Sequence, residues 1–209
     1  MNLEKLNDLE VEFLDRYPNG FEDATFFPSM KNNKPQKLEE YAKDILKKEN
    51  FNNPNLVVEG FFKTVQKSVM VSLFDKLKLK DMITSLSSYE KDMLSIEIYE
   101  LLYGDKKNGF EGLVEFLVPY SLAKWTIVSV VPYSMYREKE YFIKPTTTKN
   151  IIKYLELKDL VYKPRPSYEF YKKYTKALDE MKSNINSSRH LDNGAFTSFL
   201  RVGIEICEG

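Results

Sequence analysis

The chain has 209 residues, 43% of them hydrophobic, with 31 basic and 31 acidic side chains, one histidine and one cysteine. That length and apolar content suffice for a sizeable core in a single domain spanning residues 1–209. The cancelled charge excludes a global field drawing the chain onto nucleic acid or an anionic membrane. The inventory excludes an internal disulfide and any zinc site built only from histidine and cysteine.

The first segment, MNLEKLNDLEVEF, is charged and amphipathic, unlike a signal peptide, and too acidic for a transit peptide. Leu3, Leu6, Phe13 and Leu14 recur at helical spacing up to the Tyr17-Pro18-Asn19-Gly20 turn, which ends a first helix. Residues 21–36 hold Pro28 and Pro35 without a sustained period and read as a loop. Lys37 to Glu49 places Leu38, Tyr41, Ile45 and Leu46 on one side of a second helix. Pro54 suits the first turn of the next helix. Its broad apolar set (Val57, Val58, Phe61, Phe62, Val65, Val69) predicts a central element running towards Phe74.

Ser87-Ser88-Tyr89-Glu90 fits a capping box, in which the serine oxygen accepts a first-turn N–H and the glutamate reaches back. The helix it starts carries Leu94, Ile98 and Leu101 and closes at Gly104. Another helix is expected from Asn108 to Leu117, stopped or kinked by Pro119. Trp125 to Val131 is β-branched enough for a strand and equally suits a buried helix, and Tyr141-Phe142-Ile143 reads as a short strand or extended connector. Glu115, Pro119, Lys124 and Pro132 interrupt the most apolar region, Leu113 to Tyr136, so it makes no membrane span. Two helices follow, over Thr147–Leu157 and Ser167–Lys182, and then a helical tail from Asn193 to Ile206. The tetrapeptide Asn-Gly-Phe-Glu at 19–22 and again at 108–111 reads as reuse of a turn, because the flanking residues differ.

The stretch Phe142 to Asn150, FIKPTTTKN, is the main candidate site. One threonine, Thr146 or Thr147, is enough to cap the helix it opens. The spare hydroxyls among Thr146, Thr147 and Thr148, the helix dipole, and Lys144 and Lys149 are also the ingredients of a phosphate or carboxylate site. Between Lys139 and Lys182 eleven basic residues face six acidic ones, 11 − 6 = +5, which leaves −5 for the rest of the neutral chain. Arg165, one of five arginines, is the first choice for a bidentate anion contact, against the commoner alternative of a salt bridge. Tyr162, Tyr168, Phe170, Tyr171 and Tyr174 interleave with these bases as stacking platforms do, yet helical spacing already explains Phe170, Tyr174, Leu178 and Met181 as a core stripe.

Other chemistry is thin. No phosphate loop, dinucleotide glycine pattern, nucleophile elbow or HExxH is present, so no cofactor and no histidine-based metal centre is expected, while carboxylate-bound Mg²⁺ stays open. His190 reads as a surface residue without a paired nucleophile, Trp125 as core, Cys207 as a packed terminal residue, and Glu97 with Glu100 as a solvated helix face.

The pieces FLDRYPNGF (13–21), LAKWT (122–126), KPTT (144–147) and PSYEFY (166–171) resemble a family of bacterial cytosolic proteins that carries no assigned activity. The resemblance implies one domain of this length and a bacterial, cytosolic origin, and it transfers no role to any residue. The expectation is therefore a mainly α, cytoplasmic protein of about eight helices with at most one short β element over 125–143. Its leading function is binding of a phosphate-bearing ligand, nucleic acid included, through Lys144, Thr146, Thr147, Thr148, Lys149 and Arg165. The alternatives are a helical protein–protein interaction module, or homodimer, whose mark is a contiguous exposed apolar patch, and an enzyme with a carboxylate or tyrosine site.

Overall fold

The computed structural model describes residues 1–20, 23, 35–186 and 192–209. Among these the chain is mainly helical, with no strand. In order it forms α1 (Leu3–Arg16), α2 (Pro35–Ile45), a short 3-10 helix (Lys48–Asn52), α3 (Pro54–Lys67), α4 (Leu73–Ser85), α5 (Ser88–Tyr103), α6 (Lys106–Leu117), a second 3-10 turn (Val118–Tyr120), α7 (Trp125–Met135), α8 (Pro145–Tyr154), α9 (Tyr168–Ser183) and α10 (Asn193–Glu208). The helices group into two compact units. One comprises the residues before Pro35 together with 144–162 and 170–209, and the other comprises 35–143 and 163–169. Among the described residues no helix is long and apolar enough to cross a membrane.

In the second unit α3 packs against α2, α4, α5, α7 and the Lys48–Asn52 turn. It earns that position by burying Val57, Val58, Phe61, Thr64 and Val65, and Thr64 satisfies its hydroxyl by donating to the Gly60 carbonyl at 2.8 Å. The expected extension to Phe74 does not occur. α3 stops at Lys67, Val69 is exposed, and Ser72 starts α4 by accepting the Asp75 amide at 3.1 Å. The Ser87–Glu90 capping box forms as expected, with Glu90 accepting the Ser87 amide at 2.8 Å. The same serine contacts hold the Glu90 carboxyl below its usual range.

α5 and α6 are the closest-packed pair of this unit. A Cβ at Gly109 would overlap the backbone nitrogen of Leu101, so only glycine permits the approach. This corrects the turn reading of the second Asn-Gly-Phe-Glu: Asn108 lies inside α6, which starts two residues earlier than expected, where Asp105 accepts the Lys107 and Asn108 amides. Of the first copy, Phe21 and Glu22 lie outside the described residues. So does most of the expected loop, except Asp23 and the final two positions, 35 and 36, which already belong to α2.

The strand alternative at 125–131 is replaced by α7. Every α7 residue except Thr126 is buried, which erases the one-sided pattern by which a helix is recognised. Ser129 and Ser134 donate to the carbonyls of Trp125 (2.6 Å) and Val130 (2.7 Å), and so cross the apolar interior without loose hydroxyls. The Trp125 indole donates to the Lys163 carbonyl at 2.8 Å. Tyr141 and Ile143 are buried in an extended connector, and the Ile143 amide donates to the Ser129 hydroxyl at 2.9 Å.

In the first unit α10 packs against α1 and α8. The Phe13 and Phe199 rings meet edge-on at 4.8 Å. Asp192 caps α10 by accepting the Gly194 and Ala195 amides at 2.9 and 2.8 Å. Gly109→Ala should destabilise the protein by about 3 kcal/mol, at the upper end for overpacking, because a backbone atom cannot move aside as a side chain can. Urea unfolding of the variant beside the wild type measures this, and an unchanged midpoint would show that α5 and α6 can separate freely.

Candidate functional site

α8 begins two residues before the expected start. Proline at its first position has no N–H to lose, and Lys144 stands at the N-cap without a side-chain hydrogen bond to the first turn. The Thr148 amide donates to the Lys144 carbonyl at 2.9 Å. The amides of Thr146 and Thr147 are thus left at an open helix end that carries no acidic residue. Neither threonine is the cap that the sequence allowed for.

The six expected ligand residues are divided between the two units. Lys144, Thr146 and Lys149 are exposed and Thr147 is half-buried. Thr148 is buried, and its hydroxyl meets the phenol of Tyr174 on α9, whose pKa burial pushes upward. The spacing of Thr148, Ile151 and the C-cap residue Leu155 places all three on the buried side of α8. Lys149 lies with its ammonium 5.9 Å from the Tyr162 ring centre. Arg165 belongs to the other unit, where it pairs with Glu115 on α6, and so takes up the salt-bridge alternative. Phe170, Tyr171 and Tyr174 are buried as core, and present no stacking platform. His190 lies outside the described residues.

Burial and the neighbouring Glu100 raise the pKa of Glu97, while Glu100 accepts the Asp105 amide at 2.7 Å. Among the described residues no cluster of three or more His, Cys, Asp or Glu is placed to hold a metal. A cleft of about 370 Å³ is lined by Met1, Asn2, Glu156, Lys158 and Asp159. Its Glu156 is held below the usual carboxylate range by Lys5 at 2.9 Å, as in an ordinary exposed ion pair.

The feature that sequence reasoning missed is α4. Asp75, Leu79 and Met82 are buried, with Asp75 bonded to Ser72 and to Lys124. On the opposite side Leu73, Phe74 and Leu77 are 71%, 69% and 54% exposed, and Val69 in the preceding turn is 67% exposed. Lys124 reaches over the Phe74 ring, 5.9 Å from its centre. Helical spacing puts Leu73, Phe74 and Leu77 side by side, one turn deep, on a single outward face. Apolar residues on two opposite faces cancel the periodic signal, which is why the segment showed no stripe. The Ser72-x-x-Asp75 start signal was nevertheless there to be read.

Thr148→Val should cost about 1–3 kcal/mol by stripping the buried Tyr174 phenol of its hydroxyl partner. Thr146→Val and Thr147→Val should each cost less than about 0.5 kcal/mol, as surface changes do. Urea midpoints for the three variants test this, and equal effects would return the threonines to a shared capping role. Comparison with protein-family models, with curated proteins and with solved structures finds no match to this chain.

Proposed function

We propose that this chain is a helical protein-interaction module whose docking element is the outward face of α4. The carrying observation is that Leu73, Phe74 and Leu77 stand together in water on a helix whose other side is already buried. Burying a leucine or phenylalanine side chain is favourable by about 1.5–3 kcal/mol. Adjacent side chains forgoing that gain mark a contact surface more strongly than Ile96 of α5, whose exposed neighbour Tyr89 lies two turns away. A partner that covers the face recovers the forgone burial.

The double variant Leu73→Ser/Leu77→Ser should fold normally, with its thermal midpoint within about 2 °C of wild type, because neither side chain is part of the core. In pull-downs from extract it should lose the complexes that the wild type and the Ile96→Ser control retain. A collapsed midpoint would make these residues core, and complexes that survive the substitutions would place the contact elsewhere.

A second reading rests on the uncapped, carboxylate-free start of α8. There Lys144, the Thr146 and Thr147 amides and hydroxyls, and Lys149 support binding of a compact phosphate-bearing ligand. A ligand at about a hundred times its dissociation constant adds roughly 2.7 kcal/mol to stability. Inorganic phosphate or a nucleotide should therefore raise the thermal midpoint of the wild type and of Arg165→Ala, and leave Lys144→Ala/Lys149→Ala unmoved. No shift in the wild type would remove this reading and leave the first intact.

A further inference from the structure

The apolar face of α4 is bracketed by positive charge on both flanks, and this gives the docking surface a chemical identity. Measured around the helix by residue spacing, Lys76 and Lys80 border Leu73 and Leu77 on one side, and Lys78 borders Phe74 on the other. Lys124 also lies above the Phe74 ring, but Asp75 matches its charge, so the rim consists of Lys76, Lys78 and Lys80. The acidic residues of α4 do not neutralise this rim. Asp75 is buried and already paired, which leaves Asp81, one turn beyond Leu77 on the outward face.

Resting on the reading of α4 as a docking element, we infer that its partner is an acidic amphipathic helix of another protein. Such a helix lays apolar side chains at i, i+3 and i+4 spacing against Leu73, Phe74 and Leu77, and carries Asp or Glu on both flanks. Three apolar side chains offered over one turn of a rigid helix are the counterpart of that spacing. The lysine rim selects the sign of the partner's flanks and speeds its approach.

The same charges argue against the two other occupants of such a face. A second copy of this chain, related by a two-fold axis, would set one lysine rim against an identical one. An anionic bilayer would meet Asp81 in the plane of contact with nothing to offer it, whereas a protein partner can place a single base there. The whole chain also carries no net charge that would hold it to a membrane.

The test is selection from a displayed library of amphipathic helical peptides, with leucine fixed at helical spacing and the flanking positions randomised among Glu, Gln and Lys. The immobilised bait is the full chain. The expected result is enrichment of Glu on both flanks, with binding at least about tenfold weaker to Leu73→Ser/Leu77→Ser and weaker in high salt. With Lys76→Glu/Lys80→Glu as bait, which leaves the apolar face and Lys78 intact, the preference on the flank facing those two positions should move to Lys while the other flank keeps Glu. Enrichment that depends on Leu73 and Leu77 but is blind to flank charge, or favours Lys with the wild-type bait, overturns the acidic identity and leaves the docking reading standing. A library that yields no peptide dependent on Leu73 and Leu77 overturns both. Two parallel measurements address the other occupants: flotation with phosphatidylserine vesicles, and sedimentation of the chain alone. Binding to vesicles, or a dimer, that is lost in Leu73→Ser/Leu77→Ser would assign the face to a membrane or to a second copy and overturn the inference.

Discussion

The second unit depends on how many neighbours α3 must have. Val57, Val58, Phe61 and Val65 make an apolar face too broad for one partner helix to cover. α2, α5 and α7 therefore all pack on it, together with the Lys48–Asn52 turn. α4 takes a further position against α3, covering its own Leu79 and Met82 and leaving Leu73, Phe74 and Leu77 in solvent. The exposed face and the crowded interior thus follow from a single constraint. A helix with apolar residues on two sides can bury only one of them where the central helix has little surface left to give.

Crowding of this kind demands that polar groups inside the unit find partners close by. The hydroxyls of Thr64, Ser129 and Ser134 each return to a carbonyl four residues earlier in the same helix. The Trp125 indole reaches a loop carbonyl instead. In the first unit the buried Thr148 and Tyr174 meet each other across α8 and α9. The three hydroxyls that return to their own helix need no distant partner, and so can be buried at little cost.

What the sequence allowed one to read divides along the same physical lines. Where a helix has one wet side and one dry side, as α9 does with Phe170, Tyr174, Leu178 and Met181, spacing identified the buried residues. Where the ends are fixed by side-chain chemistry, as at Ser87 and Glu90, the start was legible to the residue. α7 was ambiguous because burial all round removes the contrast on which spacing relies, and α4 went unseen because its two apolar faces cancel. The candidate site was legible only where its residues are neighbours in the chain. Lys144 to Lys149 could be gathered by proximity in the chain, but Arg165 is claimed by Glu115, fifty residues earlier, and nothing in local pattern announces such a partner. The inward turn of Thr148 was visible in its spacing to Ile151 and Leu155.

The hydroxyl of Ser129 has one further consequence. It donates to the Trp125 carbonyl within α7 and accepts from the Ile143 amide in the extended connector, so one small side chain ties an irregular segment to the interior of a buried helix. Exchange of that amide proton with solvent requires the hydroxyl to let go, and Ser129 is itself fully buried. Ile143 lies outside every helix, yet a side chain of α7 holds its amide, which should exchange on the slow timescale of the core rather than the fast one of the loops.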